Sequence, residues 1–114
     1  MSEPRLQGTD GVRGLGVSPD HPLAKQRRVT LEDVMNEGLV TREEGSATRQ
    51  TSEECFAQLG VQPRVSIELG SNQAVKLAAQ SGMGVGIISR YGIGAEVKAG
   101  LLQVLEVEGW SCTR

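Results

Sequence analysis

Three consecutive stretches decide the architecture: Arg64-Val65-Ser66-Ile67-Glu68-Leu69, then Asn72-Gln73-Ala74-Val75-Lys76-Leu77-Ala78-Ala79-Gln80-Ser81, then Val85-Gly86-Ile87-Ile88-Ser89. The first alternates apolar and polar residues, the pattern of a half-buried strand. The second carries Ala74, Val75, Leu77, Ala78 and Ala79 at helical spacing, with Gly82 to close it. The third is an unbroken apolar run of strand length, expected where a sheet is covered on both faces. Gly82, Gly84 and Gly86 suit a tight helix-to-strand turn and close packing.

The same alternation extends outward. Thr30 caps a short predicted helix with Leu31, Val34 and Met35 inside and Gly38 as its stop. Leu39 to Arg42 reads as a strand and Glu43 to Ser46 as a loop. A longer helix runs from about Ala47 to Leu59, with Cys55, Phe56 and Leu59 on one face and Gly60 and Pro63 beyond it. Ile93 to Ala99 is a further helix, and Leu101 to Val107 a last strand. Strands alternating with helices predict an α/β fold, three layers with a mostly parallel sheet. Residues 1–16 are glycine-rich and without periodicity and are expected to be loop or disordered. The unit then covers 17–110, with 111–114 as a tail.

At 114 residues the chain suits one small domain. Only Phe56, Tyr91 and Trp110 are aromatic, so the core is expected to rest on Val, Ile, Leu and Ala. The net charge of −2 lacks the basic footprint of a nucleic-acid binder. There is no apolar run of membrane-spanning length and no signal-like N-terminus, so a cytoplasmic location without membrane association is expected. Cys55 and Cys112 lie far apart in no metal-ligand pattern and are expected to be reduced thiols. His21, the single histidine, sits in a Pro-rich turn and is expected at the surface. No nucleophile elbow, paired acids or Cys-His arrangement appears, and neither enzyme activity, metal nor cofactor is expected. Gly92-Ile93-Gly94-Ala95-Glu96-Val97 lacks the third glycine of a dinucleotide fingerprint.

Two helix starts could meet a ligand. Gly45-Ser46-Ala47-Thr48-Arg49 combines unpaired first-turn amides with two hydroxyls and a guanidinium, a pattern suited to carboxylates or phosphates. The plainer alternative has Ser46 capping the helix and Arg49 pointing to water. Ser71 and Asn72 form the second start, where an N-cap is again the plainer reading. Glu68 is either near a hinge or simply the solvent-facing half of its strand.

The ordered wording resembles the effector-binding domain of LysR-type transcriptional regulators. The residues that carry the likeness are Ser18-Pro19-Asp20-His21-Pro22-Leu23-Ala24 with Val29-Thr30-Leu31-Glu32-Asp33; Leu39 to Arg49; Ile67 to Lys76; Gly82 to Arg90; and Gly100 to Trp110. Each motif is weak alone, but in this order and spacing they are specific. The finer wording leans toward regulators of carbon-fixation genes. The resemblance implies one distal lobe, the truncated half of a periplasmic-binding-protein-like domain whose two lobes enclose a small-molecule cleft that the segment 45–49 faces. It implies a small anionic metabolite as inducer, and pairing as a homodimer or as a heterodimer with an intact LysR-type regulator. The winged helix-turn-helix of such regulators is missing here, so no direct DNA binding is expected and a truncated or remnant form is implied. The family has an apolar strand before the Pro-Asp-His-Pro turn, where this chain has Gly11-Val12-Arg13-Gly14-Leu15-Gly16. A solute-binding protein fragment of a transport system is the alternative, since it shares the fold. Gly8-Thr9-Asp10-Gly11-Val12-Arg13-Gly14 also resembles the start of phosphoglucosamine mutases, but the Ala-Ser-His-Asn-Pro loop those enzymes need is absent from the sequence.

Overall fold

A computed structural model describes residues 13–89 and 92–112. Seven strands alternate with four α-helices: β1 (Arg13–Val17), β2 (Val29–Thr30), α1 (Leu31–Glu37), β3 (Leu39–Arg42), α2 (Ala47–Leu59), β4 (Val65–Leu69), α3 (Asn72–Gln80), β5 (Val85–Ser89), α4 (Gly94–Lys98), β6 (Gln103–Val104) and β7 (Val107–Glu108). A 3-10 turn spans Pro22–Lys25. The main sheet has the order β4-β3-β5-β1-β6, and β2 and β7 form a separate parallel pair. β3 runs parallel to both β4 and β5, while β1 runs antiparallel to β5 and β6. The sheet is therefore mostly parallel, with β1 alone reversed, as the alternating sequence predicts.

Strand period two divides the core between the sheet's faces. Leu15, Val17, Leu39, Val85 and Ile87 pack with Val34 of α1 and Phe56 of α2. Val40 and Ile88 pack with Val75, Ala78 and Ala79 of α3 and with Ile93. That arrangement gives the three layers. Two glycines permit it. A Cβ on Gly86 would lie 3.1 Å from the Ala79 Cβ, so a bare backbone lets α3 settle onto β5. Gly84 has φ +148°, and a Cβ there would meet the Gly38 carbonyl oxygen at 2.9 Å.

Four expectations need correction. Residues 13–16, expected as loop, belong to β1, where Leu15 and Val17 are fully buried. This strand lies between β5 and β6, so its burial is set by distant partners rather than by its own glycine-rich wording. Residues 1–12 lie outside the described residues. The last strand is not continuous over Leu101–Val107. β6 joins the main sheet and β7 turns away to pair with β2. His21 is buried at 6 % exposure. Its Nδ1 accepts the Leu23 amide at 3.0 Å, capping the 3-10 turn, and its Nε2 meets Glu37 Oε1 at 3.0 Å. Cys55 and Cys112, expected as separate thiols, form a disulfide, and Cys112 is buried rather than part of a polar tail.

Candidate functional site

β3 and β4 are parallel neighbours in a register that sets Arg42 beside Leu69, and each feeds directly into a helix. The starts of α2 and α3 therefore lie side by side, off the carboxyl ends of their strands, where open α/β sheets bind ligands. Gly45 allows the first crossing by taking φ +98°. Ser46 Oγ accepts the Arg49 amide at 3.0 Å, and Ser71 Oγ accepts the Ala74 amide at 3.0 Å. Both serines are thus true N-caps. Each cap satisfies one amide of its first turn. The amides of Ala47 and Thr48 in α2, and of Asn72 and Gln73 in α3, have no carbonyl four residues behind them inside the helix. Gly45, Ala47, Ser71 and Asn72 are exposed, while Ser46 and Thr48 are half-buried.

Side chains bind the two starts into one unit. Arg42, at the end of β3, donates from Nη1 to Asn72 Oδ1 at 3.2 Å and pairs through Nε with Glu43 at 2.9 Å. The Glu43 amide donates to the Leu69 carbonyl at 3.1 Å, a further link between the β3 and β4 exits. The hydrogen bond from Arg42 holds the Glu43 carboxyl below its ordinary pKa.

Arg49 neither points to water nor stands free for a ligand. It is 7 % exposed and held inside the chain. Nε donates to Glu53 at 2.7 Å, and Nη1 donates to both Glu68 at 3.0 Å and the Arg42 carbonyl at 2.9 Å. Burial works against its charge. The hydrogen bonds and negative charges of Glu53 and Glu68 outweigh that effect and hold its pKa above the usual value. Arg49 therefore braces β3, α2 and β4 together, and Glu68 is its partner rather than a plain solvent-facing residue. Sequence reading anticipated the Ser46 and Ser71 caps but missed the Arg42–Asn72 link. The Arg49–Glu53 pair was signalled by its i, i+4 spacing.

The two helix starts carry four first-turn amides without carbonyl partners inside their helices. The guanidinium groups of Arg42 and Arg49 are already matched by carboxylates. Helix starts in general favour oxygen-rich anions through directed amide hydrogen bonds and helix-end polarity. Among the described residues no cluster of His, Cys, Asp and Glu could hold a metal ion. No helix among them is long and apolar enough to cross a membrane.

The family described as the LysR substrate binding domain matches residues 13–114. The chain belongs to that family. It is 42 % identical over 93 residues to the transcriptional activator CmpR of Synechocystis, covering 82 % of this chain and 31 % of that protein. It is 41 % identical over 92 residues to the RuBisCO operon transcriptional regulator of Allochromatium vinosum, covering 81 % of this chain and 30 % of that regulator. The regulatory domain of Synechocystis CcmR, solved in complex with 2-PG, superposes with a TM-score of 0.77 at 29 % identity, over 99 % of this chain and 59 % of that one. This LysR-family chain thus spans about a third of the length of the curated regulators it matches. The family match replaces the transport-protein and mutase alternatives. Most of the mutase-like stretch, residues 8–12, lies outside the described residues.

Proposed function

We propose that this chain is a small-molecule sensing module of a LysR-type transcriptional regulator, taking an anionic metabolite as inducer at the adjoining starts of α2 and α3. The observation that carries the reading is the lateral pairing of two capped helix N-termini, locked together by Arg42 and Asn72. Gly45, Ser46, Ala47 and Thr48 supply one half of the site, and Ser71 and Asn72 the other. Arg49 keeps both in place. The likeness to a regulatory domain solved with 2-PG, and to regulators of RuBisCO operons, supports an inducer from carbon metabolism. The module works in the cytoplasm, without cofactor, chemistry of its own or direct contact with DNA. It acts as a homodimer or as a heterodimer with an intact LysR-type regulator.

A thermal melt of the purified chain against rising 2-PG, with glucose as the uncharged control, tests this reading. A ligand bound to the native state alone raises the midpoint with concentration. The midpoint should climb with 2-PG and stay put with glucose, and Thr48→Val combined with Asn72→Ala should weaken the response about tenfold, for the loss of roughly one hydrogen bond's worth of affinity. A cooperative melt that no concentration of 2-PG shifts, or a shift that the double variant leaves intact, would remove these helix starts as the sensing site.

A further inference from the structure

Cys55 and Cys112 stand 57 positions apart, yet their Cα atoms approach to 5.5 Å and the sulfurs are joined. That separation lies within the ordinary span of a disulfide. Cys55 sits on α2, and Cys112 ends the described C-terminal segment, which carries no helix or strand after β7. The segment has further attachments. The Trp110 ring lies against Phe56 with centroids 4.9 Å apart. Its Nε1 donates to the Arg13 carbonyl at 3.0 Å, and the Arg13 amide donates to the Cys112 carbonyl at 2.9 Å. The disulfide thus anchors this irregular strip to α2, and these hydrogen bonds join it to the first residue of β1. Both sulfur-bearing residues are 4 % exposed, while Ser111 between Trp110 and Cys112 is exposed.

We propose that Cys55 and Cys112 form a reversible thiol–disulfide site, a clasp that fastens the C-terminal segment to α2 when oxidised and frees it when reduced. Its co-reactant is a low-molecular-weight thiol of the glutathione class. A thiolate of that class attacks Cys112 Sγ, the bond to Cys55 breaks, and Cys55 leaves as a thiolate that takes up a proton. A second thiolate then attacks the small-molecule sulfur of the mixed disulfide and releases Cys112. Two small thiols are oxidised to one small disulfide, and the protein disulfide is reduced to two thiols; the oxidation of the protein is the reverse. Disulfides in a reducing compartment are mostly of this responsive type, whereas those in an oxidising one are mostly permanent. The clasp is independent of what binds at the helix starts, although it holds the helix that carries Ser46 and Thr48.

The full chain is equilibrated across ratios of reduced to oxidised glutathione, trapped with an alkylating agent and weighed. Two alkyl labels are expected at the reducing end and none at the oxidising end, with both lost together. The oxidised chain should melt on the order of 10 °C above the reduced one, since a cross-link over this separation strongly restricts the unfolded chain. Cys55→Ser/Cys112→Ser should melt with the reduced wild type at every ratio, and the reduced wild type carries the comparison if that variant fails to fold. Two labels at every ratio would show that the thiols never pair. No label at any ratio would show a permanent structural bond. Coincident melts of the two forms would show that the bond fastens nothing. Each of these three results overturns the assignment.

Discussion

On one face of the sheet, Leu15, Val17, Leu39, Val85 and Ile87 lie under α1 and α2, with Phe56 packed among them and Trp110 tilted against its ring. The other face gives Val40, Gly86 and Ile88 to the small side chains of α3, Val75, Ala78 and Ala79. The first face is sealed by an aromatic pair, a disulfide and the part-buried His21–Glu37 contact. The second stops short of closing. β4 is the sheet's edge, none of its residues is fully buried, and Leu77 and Met83 stand 51 % and 55 % exposed beside Ile67 and Leu69. The difference teaches that packing is concentrated where the chain must hold itself together, while the side away from it leaves apolar surface that the described residues do not cover.

The largest effect should separate the two faces directly. Phe56→Ala removes the ring around which the sealed face packs and should cost about 3–5 kcal/mol. Val75→Ala on the thinner face should cost about 2 kcal/mol, for two buried methyl groups and a small cavity. Urea melts with unchanged slopes read both values. Equal losses would break the contrast and place as much of the stability under α3 as under α2.

Helix starts sharpen the same comparison. α1, on the sealed face, opens with a reciprocal capping box: Thr30 Oγ1 accepts the Asp33 amide at 3.1 Å, and Asp33 accepts the Thr30 amide at 3.0 Å. α4, on the other face, follows Ile93 with no side-chain cap, and Lys76–Glu96 at 2.9 Å and the packing of Ile93 link it to α3. Thr30→Ala should cost about 1 kcal/mol. The backbone hydrogen bond from Thr30, followed by that from its hydroxyl, holds the Asp33 carboxyl below its ordinary pKa. A depressed carboxyl pKa stabilises the fold above the unfolded value, and that contribution is lost as pH falls through the folded value. The stability gap between wild type and Asp33→Asn should therefore be present at neutral pH and narrow as pH falls below the unfolded value. A gap that is constant across that range would mean that the carboxylate contributes no more than its shape.

Much of this was legible in the sequence where local chemistry decides. The bounds Ala47–Leu59 for α2, the Thr30 cap, and both serine caps follow from the residues within one turn of each helix end. The failures share a different cause. Gly14-Leu15-Gly16 has no strand wording of its own and becomes a strand because β5 and β6 flank it. The Cys55–Cys112 bond spans 57 positions and is set by the fold, not by spacing. His21 reads as a turn residue because its burial and its Glu37 partner come from the neighbouring α1. At the candidate site the serines were visible, but the engagement of Arg49 by Glu68 depends on β3 and β4 being adjacent. Free arginine in the sequence thus became internal brace in the fold.

The smallest effect on stability should fall on the open face, where it matters most for the comparison. Leu77 and Met83 project beyond the core, so Leu77→Ser and Met83→Ser should each change the unfolding free energy by no more than about 0.5 kcal/mol, as exposed substitutions generally do. Their effect on association should be larger. An apolar strip that the described residues leave exposed, beside a strand edge that none of them pairs with, costs solubility unless something covers it, and the dimer proposed for this module supplies a second chain to do so. Sedimentation of the wild type should show a concentration-dependent dimer, and the double serine variant should remain monomeric at the same concentrations while melting at nearly the same temperature. A variant that dimerises as before would move the pairing surface elsewhere. One that loses several kcal/mol would show that Leu77 and Met83 belong to the core after all, and that the two faces are closed to the same degree.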